Sequence, residues 1–355
     1  MFHQYSPDWP KPDAPRGWGH FASDDLVHWR GGNRGFAIAP DTPDEASGAY
    51  SGCAVPTETG VRDLYDRGLV LALRSDDGLA WENAGTVRTA EPFGFMWECP
   101  DRVTLGGREW LSICPQGMQN YTWANGVRDQ SGYIPLPDGK ALSHAGELVL
   151  DAGHFRRWDR GFDFYAPQTF VDESGRTILI GWMGVPEVSW ESAPNGLTWC
   201  HCLTVPREVS AGTDGALLQL PVRELETLRG AQHELKSGGT AKLPEHRADV
   251  LLDSIERSLK LELDGALRIS WDGSELSLGF GDDAVGCGRT IRTAACDSLR
   301  NLRVLVDSSA VEVFASDGEL AFATRWFPRS DTLELALEGA AAAVWEMGDG
   351  MAGTY

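Results

Sequence analysis

Glu98 stands in residues 95–101, flanked by Met96 and Trp97 on one side and by Cys99 and Pro100 on the other. Apolar neighbours strip water from a carboxylate and favour its protonated form, the form a general acid needs. The alternative is a strand-end glutamate facing solvent beside a buried tryptophan. Pro100 has no amide to donate, so it is expected to end any strand that carries Glu98. A second dense stretch, residues 159–168, sets Asp163 among Phe162, Phe164 and Tyr165. A carboxylate there either accepts hydrogen bonds from sugar hydroxyls or caps backbone amides in a turn, and the local sequence fits both. Trp182 follows the strand-like run 178–180, with Gly181 before it and Gly184 just beyond. Glycines beside a tryptophan at a strand end leave its face open to a cleft, although a core position is the commoner use. Gln4 and Ser51 add short polar groups at expected strand ends, neither informative alone.

Several other chemistries find no support. There is no Gly-x-Ser-x-Gly nucleophile elbow and no phosphate-binding Gly-x-x-x-x-Gly-Lys. A Gly-x-Gly-x-x-Gly occurs only at Gly348, Gly350 and Gly353, with no helix able to follow, and reads as a flexible tail. Cys200-His201-Cys202 lacks a second ligand pair, so no metal and no cofactor is expected. The net charge of −21 disfavours nucleic acid and anionic lipid as partners. No apolar run reaches membrane-spanning length. Seven scattered cysteines, and the lack of a basic and then apolar leader after Met1, predict reduced thiols in a cytoplasmic protein. The 14 tryptophans among 355 residues hint at a sugar-binding cleft.

The elements that must position these residues read as strands. Short apolar runs at 69–73, 103–105, 110–114, 147–150 and 177–182 alternate with Asp/Gly/Pro turns. That cadence predicts an all-β sandwich, barrel or propeller. The segment Ser23-Asp24-Asp25-Leu26-Val27-His28-Trp29 returns as Ser75-Asp76-Asp77-Gly78-Leu79-Ala80-Trp81, a blade-like repeat that favours the propeller. Val222, Leu225 and Leu228 fall on one face of a helical turn over 221–229. The expected division is a propeller over 1–220, a linker with a short helix over 221–234 and a second domain over 235–355. In the second, Leu259, Leu261 and Leu263, and then Leu302, Val304 and Val306, alternate with polar residues, as an antiparallel sandwich requires.

Taken in order, the motifs resemble glycoside hydrolase family 32, the invertases, fructan hydrolases and sucrose-6-phosphate hydrolases. Phe2-His3-Gln4-Tyr5-Ser6-Pro7, Trp18-Gly19-His20, Tyr50-Ser51-Gly52-Cys53-Ala54-Val55 and Trp97-Glu98-Cys99-Pro100-Asp101 are similar to family segments. So are Asp163-Phe164-Tyr165-Ala166, Gly181-Trp182, residues 203–208 and residues 306–314. The resemblance implies a five-bladed type of β-propeller followed by a β-sandwich, and retaining hydrolysis of terminal β-fructofuranosyl bonds in sucrose, sucrose 6-phosphate or short fructans. It implies Glu98 as general acid/base, with Gln4, Ser51, Asp163 and Trp182 on a small β-fructoside substrate. Two family motifs are not found. The nucleophile's Trp-Met-Asn-Asp-Pro-Asn-Gly would precede Phe2, and Arg-Asp-Pro would fall between Val55 and Gly68, where Arg62-Asp63-Leu64 is the nearest remnant. That gap amounts to about one blade. The alternative expectation is therefore an inactive, internally deleted relative that at most binds fructosides.

Overall fold

The computed structural model describes residues 2–6, 11, 15–31, 64–66, 68–74, 82–144, 146–186, 201–281 and 283–350. Ser51 and Asp63 lie outside them, as does the side chain of Gln4. Among the described residues strand is the dominant element and α-helix is almost absent, the strands forming four small sheets followed by one of ten strands.

The small sheets are the propeller blades. The first joins Phe2–Tyr5, Gly17–Ala22 and Arg30–Gly31. The second holds Leu64–Asp66, Leu69–Arg74 and Glu82–Thr89. Its outer position is filled by Gly146–Leu150, which arrives from beyond the third sheet and pairs parallel with Glu82–Thr89. A borrowed strand covers an edge that would otherwise be open. The third sheet runs from Met96–Leu105 through Arg108–Gln116 and Gly132–Pro135 to Arg156–Arg157. The fourth is built on Tyr165–Val171, Thr177–Met183, Arg207–Ala211 and Leu217–Pro221. Among the described residues these four sheets form the propeller.

The ten-stranded sheet folds over itself through two long strands, Arg247–Leu263 and Leu333–Met347. Irregularities between Leu252 and Lys260 split their pairing. One half of Arg247–Leu263 pairs with Leu302–Asp307, the other with Leu267–Trp271. The two layers close on Leu261, Val304 and Val306, alternating residues of the sequence pattern, together with Ile269, Leu278 and Leu335. This is the β-sandwich.

The junction departs from expectation in two ways. The helical turn is a 3-10 helix over Arg223–Leu228, and the chain enters the sandwich at once, as strand Arg229–Leu235. A spacing of three is the 3-10 period, which is why Val222 and Leu225 are both buried and Leu228 packs against them. The tail is also held. Gly348 N donates to Leu228 O at 2.8 Å, and Trp29 N donates to Gly350 O at 3.3 Å. A Cβ at Gly350 would collide with the Val27 carbonyl oxygen, so this glycine serves close packing rather than freedom.

The propeller docks on the sandwich through residues 159–163. Arg160 N and Phe162 N donate to Ala321 O and Ala323 O, extending the sandwich strand Leu320–Arg325. Gly161 lies so close that a Cβ would strike the Ala323 backbone. Gly161→Ala is therefore expected to cost about 1–3 kcal/mol, as an overpacked contact does. Gly281→Ala, where a Cβ meets only ordinary contacts, should be near neutral. Denaturant titration of both variants checks this, and equal stabilities would refute the docking contact.

Candidate active site

Glu98 lies near the start of Met96–Leu105, opposite Cys114 in register. The strand does not end at Pro100, contrary to the sequence expectation. The register shifts between Glu98 and Asp101, and Cys99 takes the left-handed conformation with φ 46°. A bulge leaves one residue outside the ladder, so the missing amide of Pro100 breaks no pairing. Below the bulge Trp97 is fully buried and its Nε1 donates to Phe93 O at 2.6 Å, anchoring the strand beside Glu98. Above it Asp101 Oδ2 accepts from Thr169 N at 2.8 Å and from Thr169 Oγ1 at 2.6 Å, which ties the third sheet to the fourth.

The facing strand repeats the device. Its register shifts between Tyr165 and Gln168, and Ala166 has φ 47°. Two non-glycine residues in this region, each directly after a polar side chain on adjoining sheets, mark backbone held for a purpose. The two bulges aim Glu98 and Tyr165 at one another. The Tyr165 hydroxyl donates to Glu98 Oε2 at 3.0 Å. Burial first, then the nearby Cys114 and Glu98, pushes the Tyr165 phenol far above its ordinary value, so it stays protonated and remains a donor.

Trp182 pairs with Tyr165 across the fourth sheet, and the two rings meet edge to face with centroids 6.5 Å apart. His201 packs on the other side of Trp182 at 4.9 Å. Burial lowers the His201 pKa and favours the neutral ring. Gly184 admits this arrangement, since a Cβ there would run into the Trp182 ring and His201. Glu98, Tyr165 and Trp182 thus form one group. Tyr165 was missed by the sequence reading, which used its motif for Asp163 alone; a phenol two residues from that aspartate was the available signal.

Asp163 does not join them. It is 2% exposed, and its Oδ2 accepts from Arg289 Nη1 at 2.8 Å, Arg325 N at 2.8 Å and Thr324 Oγ1 at 3.1 Å. All three donors belong to the sandwich. The expected sugar contact is corrected to a buried ion pair that fastens the domains together. Gln4 sits on Phe2–Tyr5 opposite Trp18 in register; its side chain, like Ser51, falls outside the described residues.

A second buried cluster frames the same junction. Arg207 has no exposed surface and lies between the rings of Phe164 and Phe314, each 5.0 Å from its guanidinium. It donates to Glu312 Oε2 at 2.6 and 2.9 Å, to Asp159 Oδ2 at 3.1 Å and to Gln219 Oε1 at 2.8 Å. Burial opposes its charge, but Glu312 and Asp159 outweigh that and hold the guanidinium protonated.

Comparison with known proteins agrees with this layout. The Glycosyl hydrolases family 32 N-terminal domain matches residues 1–65 and 57–221, and the family's C-terminal domain matches residues 284–346. Sucrose-6-phosphate hydrolase of Escherichia coli is 30% identical over 441 residues, covering 98% of this chain and 88% of that protein. That alignment is longer than the 355-residue chain, so it opens gaps in it. Raffinose invertase of Escherichia coli is 28% identical over 92% of this chain and 84% of its own length. Among solved structures, that of sucrose-6-phosphate hydrolase from Lactobacillus gasseri superposes with a TM-score of 0.84 at 23% identity, covering 98% of this chain and 88% of that one. With both family domains matched in order across a propeller and a sandwich, the chain belongs to glycosyl hydrolase family 32.

Proposed function

We propose that the chain acts on terminal β-fructofuranosides, with Glu98 as general acid and base of a retaining hydrolysis. The observation that carries this reading is the 3.0 Å hydrogen bond from Tyr165 to Glu98 beside Trp182, made by two bulges on adjoining sheets. Glu98 would protonate the departing glycosidic oxygen and then take a proton from the incoming water. Tyr165 would hold the carboxyl in place, and Trp182 would offer its face to the furanose ring. Gln4 and Ser51 would bind fructose hydroxyls. The names of the relatives make sucrose 6-phosphate the first substrate to try, with sucrose and short inulin beside it.

A second reading, binding of fructosides with little turnover, has a specific observation in its favour. No Arg-Asp-Pro stands between Val55 and Gly68, and the N-terminal family match is broken in that region. Retaining chemistry also needs a carboxylate nucleophile about 5–5.5 Å from the acid. Fructose release by purified protein, followed by chromatography on the three substrates, tests the first reading. Release of fructose is the expected result. Saturable binding without release would move the assignment to the second reading, and neither binding nor release would refute both.

A further inference from the structure

Two thiols adjoin the Glu98–Tyr165 pair, and the proposed hydrolysis uses neither. Cys99 is half-buried, Cys114 is fully buried, and both are free. Cys114 faces Glu98 across the third sheet, and Cys99 is the next residue after Glu98. Facing residues of an antiparallel pair have Cα atoms about 4.5–5.5 Å apart, and a strand advances about 3.3 Å per residue. That places the Cα atoms of Cys99 and Cys114 roughly 6 Å apart, inside the range of about 4.4–6.8 Å that a disulfide spans.

Spacing alone does not bring two thiols together. In a regular ladder Cys99 would point away from the face that carries Glu98 and Cys114. The bulge changes that. The register shifts directly after Glu98, and Cys99 stands in the left-handed region at φ 46°. The two side chains act on one another: burial first, then Cys99, raises the Cys114 thiol well above its ordinary value. A positive φ is uncommon for a residue with a Cβ, and here it turns one thiol towards another. Other groups converge on the same sulfur. Cys114 Sγ shares a hydrogen bond with Ser131 Oγ at 3.3 Å, and the amide of Ala166, in the bulge of the facing strand, acts on it as a donor. The Cys114 carbonyl lies 3.5 Å from the Tyr165 hydroxyl. Cys114 thus touches both of the bulges that aim Glu98 and Tyr165 at one another.

We propose that Cys99 and Cys114 are an oxidisable pair, closed to a disulfide by hydrogen peroxide, and that closing it draws Glu98 away from Tyr165. The half-buried Cys99 meets the oxidant. Its sulfur attacks one peroxide oxygen, the O–O bond breaks, and the other oxygen leaves with the thiol proton as water. Cys99 is then a sulfenic acid. The Cys114 sulfur attacks the Cys99 sulfur, the S–S bond forms, and the S–O bond breaks. The hydroxyl leaves with the Cys114 proton as a second water. The two sulfurs together give up two electrons, and one peroxide takes them. Because Cys114 is held as the thiol, its attack is the slower step. A disulfide sets its sulfurs about 2.05 Å apart, so Cys99 is pulled towards Cys114 and takes its chain neighbour Glu98 with it. Misplacing a reacting group by about 1 Å costs on the order of 10²-fold in rate. That loss of rate rests on the reading of Glu98 as the acid; the bridge does not.

The test uses the full chain, reduced, treated with hydrogen peroxide, alkylated, digested and mapped by mass spectrometry. A cross-link from Cys99 to Cys114 is expected, reopened by dithiothreitol. In protein labelled with carbon-13 tyrosine, the Tyr165 ring resonance, assigned with Tyr165→Phe, should move on oxidation and return on reduction. Fructose release should fall about 10²-fold and recover in step. Cys114→Ser and Cys99→Ser should each abolish the cross-link and the movement of the resonance, so either variant serves if the other fails to fold. Sulfinic acid at Cys99 with Cys114 still a free thiol, or a bridge from Cys99 to a different cysteine, would overturn the pair. A bridge that leaves the Tyr165 resonance in place would overturn its link to Glu98. Bridge and moved resonance in a chain that releases no fructose when reduced would refute the fructosidase reading and uphold the pair.

Discussion

Replacing Glu98 by glutamine is expected to slow fructose release about 10²–10⁴-fold, the usual worth of general acid–base catalysis. The swap keeps the shape and leaves an acceptor oxygen for the Tyr165 hydroxyl, which donates at 3.0 Å in the native site. Binding of fructosides should therefore survive while the chemical step fails. The leaving group supplies a sharper diagnosis. With a fructosyl donor whose leaving group needs no proton, such as a fluoride, the first step should recover in the variant. The second step should stay slow, because water still has to be deprotonated. An equal loss on both kinds of substrate would mean that Glu98 acts by some route other than proton transfer. Tyr165→Phe is the companion variant: it removes the donor and keeps the ring against Trp182. Its effect should be smaller than that of Glu98→Gln and should appear mainly in kcat.

Arg207→Ala is expected to be the most destabilising single change at the domain junction, at about 3–5 kcal/mol. It strands Glu312 and Asp159 in the interior and empties the space between Phe164 and Phe314. Against a typical total of about 5–15 kcal/mol, that is a large share. Replacing a buried ion pair by apolar residues is often neutral, but here it should not be. Glu312 Oε1 also accepts from Val205 N at 2.7 Å. An Arg207→Met, Glu312→Leu double variant would orphan that amide, at about 1–3 kcal/mol for an unsatisfied buried donor. Chemical denaturation of both variants gives the comparison. A double variant as stable as the wild type would show that the backbone contact carries nothing.

Much of the fold was legible because it rests on local patterns. Alternation at Leu259, Leu261 and Leu263, and at Leu302, Val304 and Val306, is a short-range feature that no tertiary contact overrides. Glu98 was singled out on a similar local signal, since its apolar neighbours sit beside it in the chain. Asp163 was not. An aspartate among aromatic residues looks the same whether it faces a sugar or an arginine, and its partner Arg289 is 126 residues away. The strand Gly146–Leu150 was visible, but its parallel pairing with Glu82–Thr89 was not, because pairing is a choice between distant segments. Pro100 misled because the rule that proline ends a strand holds for a regular ladder, and the ladder there is bulged.

The contact of Gly350 with Trp29 also has a bearing on how the molecule is made. On the ribosome, the sheet containing Gly17–Ala22 emerges early, while the segment that pins it emerges only after the sandwich. At about 5–20 residues per second that interval is on the order of tens of seconds. Throughout it Val27 lacks the part of its cluster that the sandwich supplies, Leu305, Phe314 and Ala321, although Ile178, Val222 and Leu225 precede them in the chain. A sheet made well before the sandwich is thus fully secured only after the sandwich has emerged.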